Sequence, residues 1–148
     1  MGYYMRFINT DTRPITAAHL RSALVGADPG YDIEIDDTAA TINHSGVTIA
    51  HVEINTPGDG LFDEERDELV EFASDASGDR SAMARVVATL RAATSIVAAQ
   101  VLFGTGDVEQ TLTRLDPLWT WLLQNRQGLV QADSEGYYDA SGIVLKVN

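Results

Sequence analysis

Val47 to Phe62 reads VTIAHVEINTPGDGLF. Thr48, Ala50, Val52 and Ile54 alternate with Ile49, His51, Glu53 and Asn55, the period-two pattern of a half-buried strand. The first set is the more uniformly small and apolar, so it is assigned to the core. Pro57-Gly58-Asp59-Gly60 has the residues that stop a strand and turn the chain. A helix is then expected. Asp63, Glu64, Glu65, Asp67 and Glu68 fall in its first turns, where each exposed acid complements the helix dipole by roughly 0.3–1 kcal/mol. Phe62, Leu69, Phe72 and Ala73 form its expected buried stripe. Strand, turn and helix in this order set the pattern against which the rest of the chain is read.

Upstream, Tyr3 to Asn9 (YYMRFIN) is rich in aromatic and β-branched residues and predicts a first strand. Tyr4, Arg6 and Ile8 share one face of it. Thr16 is placed to cap a short helix carrying Leu20 and Leu24 on one side, and Asp28-Pro29-Gly30 ends it. Tyr31, Ile33 and Ile35 alternate with Asp32 and Glu34 in a second strand. Ala39 to Asn43 suggests another, and His44-Ser45-Gly46 turns tightly into Val47.

Downstream, Ser74 to Asp79 is a break. Asp79 or Ser81 can cap a helix through Met83, Val86, Val87 and Leu90. Thr94 to Phe103 (TSIVAAQVLF) either prolongs that helix or forms a buried strand. Its β-branched content and the Gly104-Thr105-Gly106 that follows favour the strand. Asp107 caps a last helix with the stripe Val108, Leu112, Leu115, Trp119 and Leu122. Pro117 inside it is expected to kink it or to mark a new first turn. Residues 129–132, 137–138 and 143–147 read as short strands joined by turns that end in Gly.

The order of the first six elements, strand–helix–strand–strand–helix–strand, predicts an α+β domain with a ferredoxin-like (split βαβ) antiparallel sheet. A C-terminal helix and β-hairpin are added to it. One domain is expected over residues 1–148. In that arrangement the fourth strand lies beside the first, then the third, then the second, with the helices on one face. The face away from the helices then carries a polar row: Gln100, Arg6, His51 with Glu53, and Glu34. The last helix and hairpin either fold over that row or extend the sheet edge.

The chain carries 22 acids against 10 bases, a net charge of −12. Nucleic-acid binding through phosphates needs a basic stripe, and none is present. A polyanionic membrane surface is disfavoured for the same reason. With no cysteine, thiol catalysis, disulfides and Cys-ligated metals are excluded. The first residues lack the pattern of a secretory signal, and no stretch has the roughly 18 apolar residues of a spanning helix. A cytoplasmic location is expected.

His51 and Glu53 are two apart on a strand and point the same way. A carboxylate beside an imidazole can orient it as a general base, and a nearby Arg6 can hold a substrate carboxylate. A salt-bridge row on a solvated or interface surface accounts for the same residues. His19, His44 and His51 lack metal-ligand spacing, and the acids of Asp59 to Glu71 lack the spacing of a calcium loop. Asp133, Glu135 and Asp139 read as solvated turn residues. Gly58-Asp59-Gly60 and Gly104-Thr105-Gly106 match no phosphate-loop pattern, so neither a metal nor a cofactor is expected. Trp119 suits the core, whereas Trp121 suits an interface.

These observations favour a non-catalytic binding or interaction protein, a homodimer or a regulator that meets a basic partner. The alternative is a small hydrolase or isomerase for an anionic metabolite, built on Arg6, His51 and Glu53.

Overall fold

Alternation in the sequence becomes eight strands, and 3.6-residue periodicity four helices, over residues 2–76, 78–104 and 107–147, which the computed structural model describes. In order they are β1 (Tyr3–Asn9), α1 (Ala17–Ala27), β2 (Tyr31–Asp36), β3 (Ala39–His44), β4 (Val47–Asn55) and α2 (Phe62–Ser74). There follow α3 (Arg80–Arg91), β5 (Ser95–Val101), α4 (Val108–Asn125), β6 (Gly128–Ala132), β7 (Gly136–Asp139) and β8 (Gly142–Lys146). Thr94 to Phe103 therefore supplies a strand, and Pro117 lies within one continuous helix. Thr16 caps α1 as expected, and His19 completes the cap: its Nδ1 accepts the Thr16 amide at 3.0 Å.

The strands form one antiparallel sheet in the order β2-β3-β4-β5-β1-β6-β7-β8. The α+β class holds, but the ferredoxin-like order does not. A split βαβ sheet sets its first strand parallel to its third. Here β1 lies between β5 and β6 and is antiparallel to both. β4 pairs with β5 instead of β1. The C-terminal strands do not fold over the sheet. They continue it outward from β1.

Helices lie on both faces, offset from each other. α1 and α4 pack with Phe7, Val97, Val52 and Ile42 on one face, over the β2-to-β1 part of the sheet. α2 and α3 pack with Ile8, Ile96, Leu129, Tyr137 and Leu145 on the opposite face, over β5 to β8. The β2–β3–β4 part of that second face has no helix over it among the described residues, and its Asp32, Glu34, Asp36, His51 and Glu53 are exposed.

The decisive strand differs from its expected pattern at one place. Ile42 pairs with Ala50 and Asn43 with Thr48, so Ile49 is an extra residue, a β-bulge. The bulge turns Ile49 into the core, where it is 1% exposed, and its carbonyl accepts the Leu102 amide at 2.9 Å. Thr48, expected in the core, is half-buried and donates to Asn43 at 2.6 Å. Beyond the bulge Ala50, Val52 and Ile54 are buried as expected. On α2, Phe62, Leu69 and Ala73 are buried, but Phe72 is 64% exposed. At about 100° per residue, Phe72 stands roughly 80° off the line through the other three.

The two sheet edges are guarded differently. β2 carries Asp32, Glu34 and Asp36, whose charges oppose strand addition, while β8 is short and bulged where the β7–β8 register shifts.

A buried polar network ties the start of β5 and the entry to β6 to the end of β1. Asn9 donates to Ser95 at 3.1 Å and accepts the Asp11 amide at 3.0 Å. Thr94 donates to the Asp11 carbonyl at 2.7 Å, and the Asp11 carboxylate accepts the Gln127 amide at 3.3 Å. Bonds from the Arg13 guanidinium, then from its backbone, hold the Asp11 carboxyl well below the usual carboxylate range, against the opposing effect of burial. A depressed folded pKa adds stability above the unfolded value of about 3.9, and this is lost as pH falls through the folded value. The urea midpoint of the wild type should therefore fall more steeply below about pH 4 than that of Asp11→Asn. Parallel profiles would remove Asp11 from the acid response.

Candidate functional site

The register places the sequence-predicted residues in two rows across the second face. Glu34, Thr41, His51, Gln100 and Tyr4 lie side by side on β2, β3, β4, β5 and β1. Asp36, Ala39, Glu53, Ala98, Arg6, Gln131 and Tyr137 form the next row. Arg6, His51, Glu53, Gln100 and Glu34 thus share one face as expected, in a different order. Gln100 stands between His51 and the β1 residues, because β5 lies between β4 and β1.

Trp121 is not part of this group. It lies on α4, beyond the opposite face, half-buried against His19 at a ring separation of 6.1 Å. The Arg126 guanidinium is 5.5 Å from its centre. Both neighbours pack against its ring, away from the Arg6 group.

Asp59 positions α2 beside the rows. Its carboxylate accepts the Leu61 amide at 2.8 Å, Phe62 at 2.9 Å and Thr56 at 2.9 Å. Burial would raise the Asp59 pKa, and these donors outweigh it and lower it. The Gly58-Asp59-Gly60 turn, with Gly58 at φ 91° and Gly60 at φ 89°, therefore serves to start the helix. Of the second glycine loop, Thr105 and Gly106 fall outside the described residues.

Once in place, α2 sets Glu65 over Arg6. Arg6 Nε donates to Glu65 at 2.8 Å, and Nη1 donates to Gln131 at 2.7 Å and Asp133 at 3.0 Å. Glu65 also accepts from Asn55 at 3.2 Å. Tyr4 stacks against the guanidinium at 5.1 Å. Burial would lower the Arg6 pKa, and the two carboxylates more than reverse this. His51 is exposed, and its Nδ1 is 3.3 Å from Thr41 Oγ1. Its hydrogen-bond partner is thus Thr41 rather than Glu53.

Two neighbouring grooves run along this flank of α2. The first, about 480 Å³, lies between Leu61, Glu64 and Glu68 of α2 and His51, Glu53 and Tyr4 of the sheet. The second, about 1000 Å³, has apolar walls from Leu69, Phe72, Phe103 and Tyr137. Arg6, Glu65, Glu68 and Gln100 border both. Asn55, Glu64, Glu65, Glu68, Gln131 and Asp133 were not among the expected site residues. The carboxylates among them read as a solvated helix face and a turn, and only the fold brings Glu65, Gln131 and Asp133 to Arg6. Among the described residues no group of three His, Asp or Glu side chains is placed to hold a metal ion. No helix of the described residues is long and apolar enough to cross a membrane.

No protein family, no curated protein and no solved structure matches this chain.

Proposed function

We propose that the chain is a non-catalytic interaction protein whose partner is a basic protein. The partner would dock on the uncovered β2–β3–β4 face and the adjoining flank of α2. The observation that carries this is the local charge. Asp32, Glu34, Asp36 and Glu53 on the open face are joined by Glu64 and Glu68 across the groove. Arg6 is already paired with Glu65 and Asp133. Such a surface raises the encounter rate with a cationic partner and repels anionic ones.

A second copy of this chain is a weaker fit. It would set the same acids against each other on the open face, and the sheet edges are guarded by charge and by a bulge. The catalytic alternative on Arg6, His51 and Glu53 draws less support, because Nε and Nη1 of Arg6 already meet three protein acceptors.

Titration with poly-L-arginine tests the proposal. Glu53→Lys/Glu68→Lys changes the groove, and Glu71→Lys/Glu109→Lys makes the same net-charge change at exposed sites outside it. The groove variant should lose roughly tenfold or more in affinity at low salt, and the control variant clearly less. Equal losses would mean that only net charge matters, and the site would fall.

A further inference from the structure

The partner segment that fits these grooves can be described further, on the premise that the reading above is right. Three features of α2 combine. Phe72 is 64% exposed on a helix otherwise rich in acids. It lines the wider groove, which shares Glu65 and Glu68 with the acidic one. Glu64, Glu68 and Phe72 also recur every four residues.

Four helical residues rise roughly 6 Å. Side chains on one face of an extended chain recur every two residues, roughly 6.6 Å. An extended segment laid along α2 therefore keeps step with this series. Its side chains at positions i, i+2 and i+4 meet Glu64, Glu68 and Phe72 in turn.

We infer that the groove receives an extended segment of a partner protein with alternating side chains, two basic residues followed by a large apolar one. The first basic side chain lies between Glu64 and Glu53 of the facing strand. The second meets Glu68. The apolar residue packs on Phe72 and Leu69 and enters the wider groove, away from Arg6. Arginine suits the two basic positions, because a planar fork can bond a carboxylate with two donors. Burying the exposed Phe72 ring supplies the apolar part of the contact.

Fluorescence anisotropy with labelled peptides tests the spacing in the intact protein. The first probe is Arg-Ser-Arg-Ser-Leu, together with its reverse, Leu-Ser-Arg-Ser-Arg. Controls are Arg-Arg-Ser-Ser-Leu, of equal composition, and Arg-Ser-Arg-Ser-Ser, which lacks the anchor. One of the two alternating peptides should bind roughly tenfold tighter than either control. Phe72→Ser, at an exposed position and therefore compatible with folding, should erase that advantage and leave the electrostatic part intact.

If all four peptides bind alike and Phe72→Ser changes nothing, the spacing inference is overturned while the basic-partner reading stands. If no peptide binds and the poly-L-arginine titration also shows no effect of the groove acids, both fall.

Discussion

Gly128→Ala is expected to unfold the protein or to destabilise it by more than about 3 kcal/mol. Gly128 opens β6 directly opposite Asn9 of β1. A Cβ there would stand 2.0 Å from the Ile8 carbonyl oxygen and 2.9 Å from the Phe7 ring. The first obstacle is backbone, so no rotamer change relieves it. β1 cannot retreat either, because β5 is bonded along its other side. Moving β6 away instead would strain the Thr10-to-Gln127 backbone bond of 2.8 Å and pull Gln127 from Asp11. Gly46→Ala is the control. Gly46 sits at φ 82° with open space where a Cβ would go, so only the left-handed backbone is penalised, by about 1–2 kcal/mol. Urea denaturation of both variants checks this. A Gly128→Ala protein within about 1 kcal/mol of wild type would show that the strands part easily there.

Arg6→Met is the second large effect, about 2–3 kcal/mol of lost stability. Methionine keeps much of the buried stem and removes only the charged head. Glu65, Gln131 and Asp133 then lose their shared donor, and two carboxylates are left without their cation. A fully buried pair broken on one side costs about 3–5 kcal/mol. Here the side chains of Arg6, Glu65 and Asp133 are 14%, 19% and 32% exposed, and water softens the penalty. A cycle with Glu65→Gln isolates the pair: the double variant should be more stable than the sum of the single losses predicts, by about 1 kcal/mol. Additive losses would mean that Arg6 and Glu65 act independently and that the salt bridge does not hold α2 to the sheet.

The sequence carried most of the local structure and little of the arrangement. Every expected strand forms, because period-two alternation and Gly- or Asp-rich turns are written in consecutive residues. Thr16, Asp79 and Asp107 cap their helices for the same reason. Strand order depends on which distant segments meet. The expected order did set 95–101 beside Tyr3–Asn9, but nothing near that strand says that its other neighbour is 128–132 and not 47–55. The error in order had one consequence for the site: Arg6 looked available, because Asp133 and Glu65 lie 127 and 59 residues away in the chain. Ile49 and Phe72 show smaller failures of pattern. A single extra residue at the bulge reversed the side Ile49 faces, and a modest angular offset left Phe72 outside the core stripe.

The place of β1 in the sheet also bears on how the chain is made. Of the eight strands of this sheet β1 is made first, yet its neighbours exist only once residues 95–101 and then 128–132 have emerged. Until then its two rows of amides and carbonyls, and the apolar Phe7 and Ile8, have no native partner strand. The β2–β3–β4 meander, by contrast, joins neighbours in sequence and can pair early, with α1 beside it. Closure of the sheet thus waits for contacts of long sequence separation, which slow folding and prolong exposure to misassociation. A nascent chain halted before β5 would hold a paired three-strand meander and a solitary, sticky N-terminal strand.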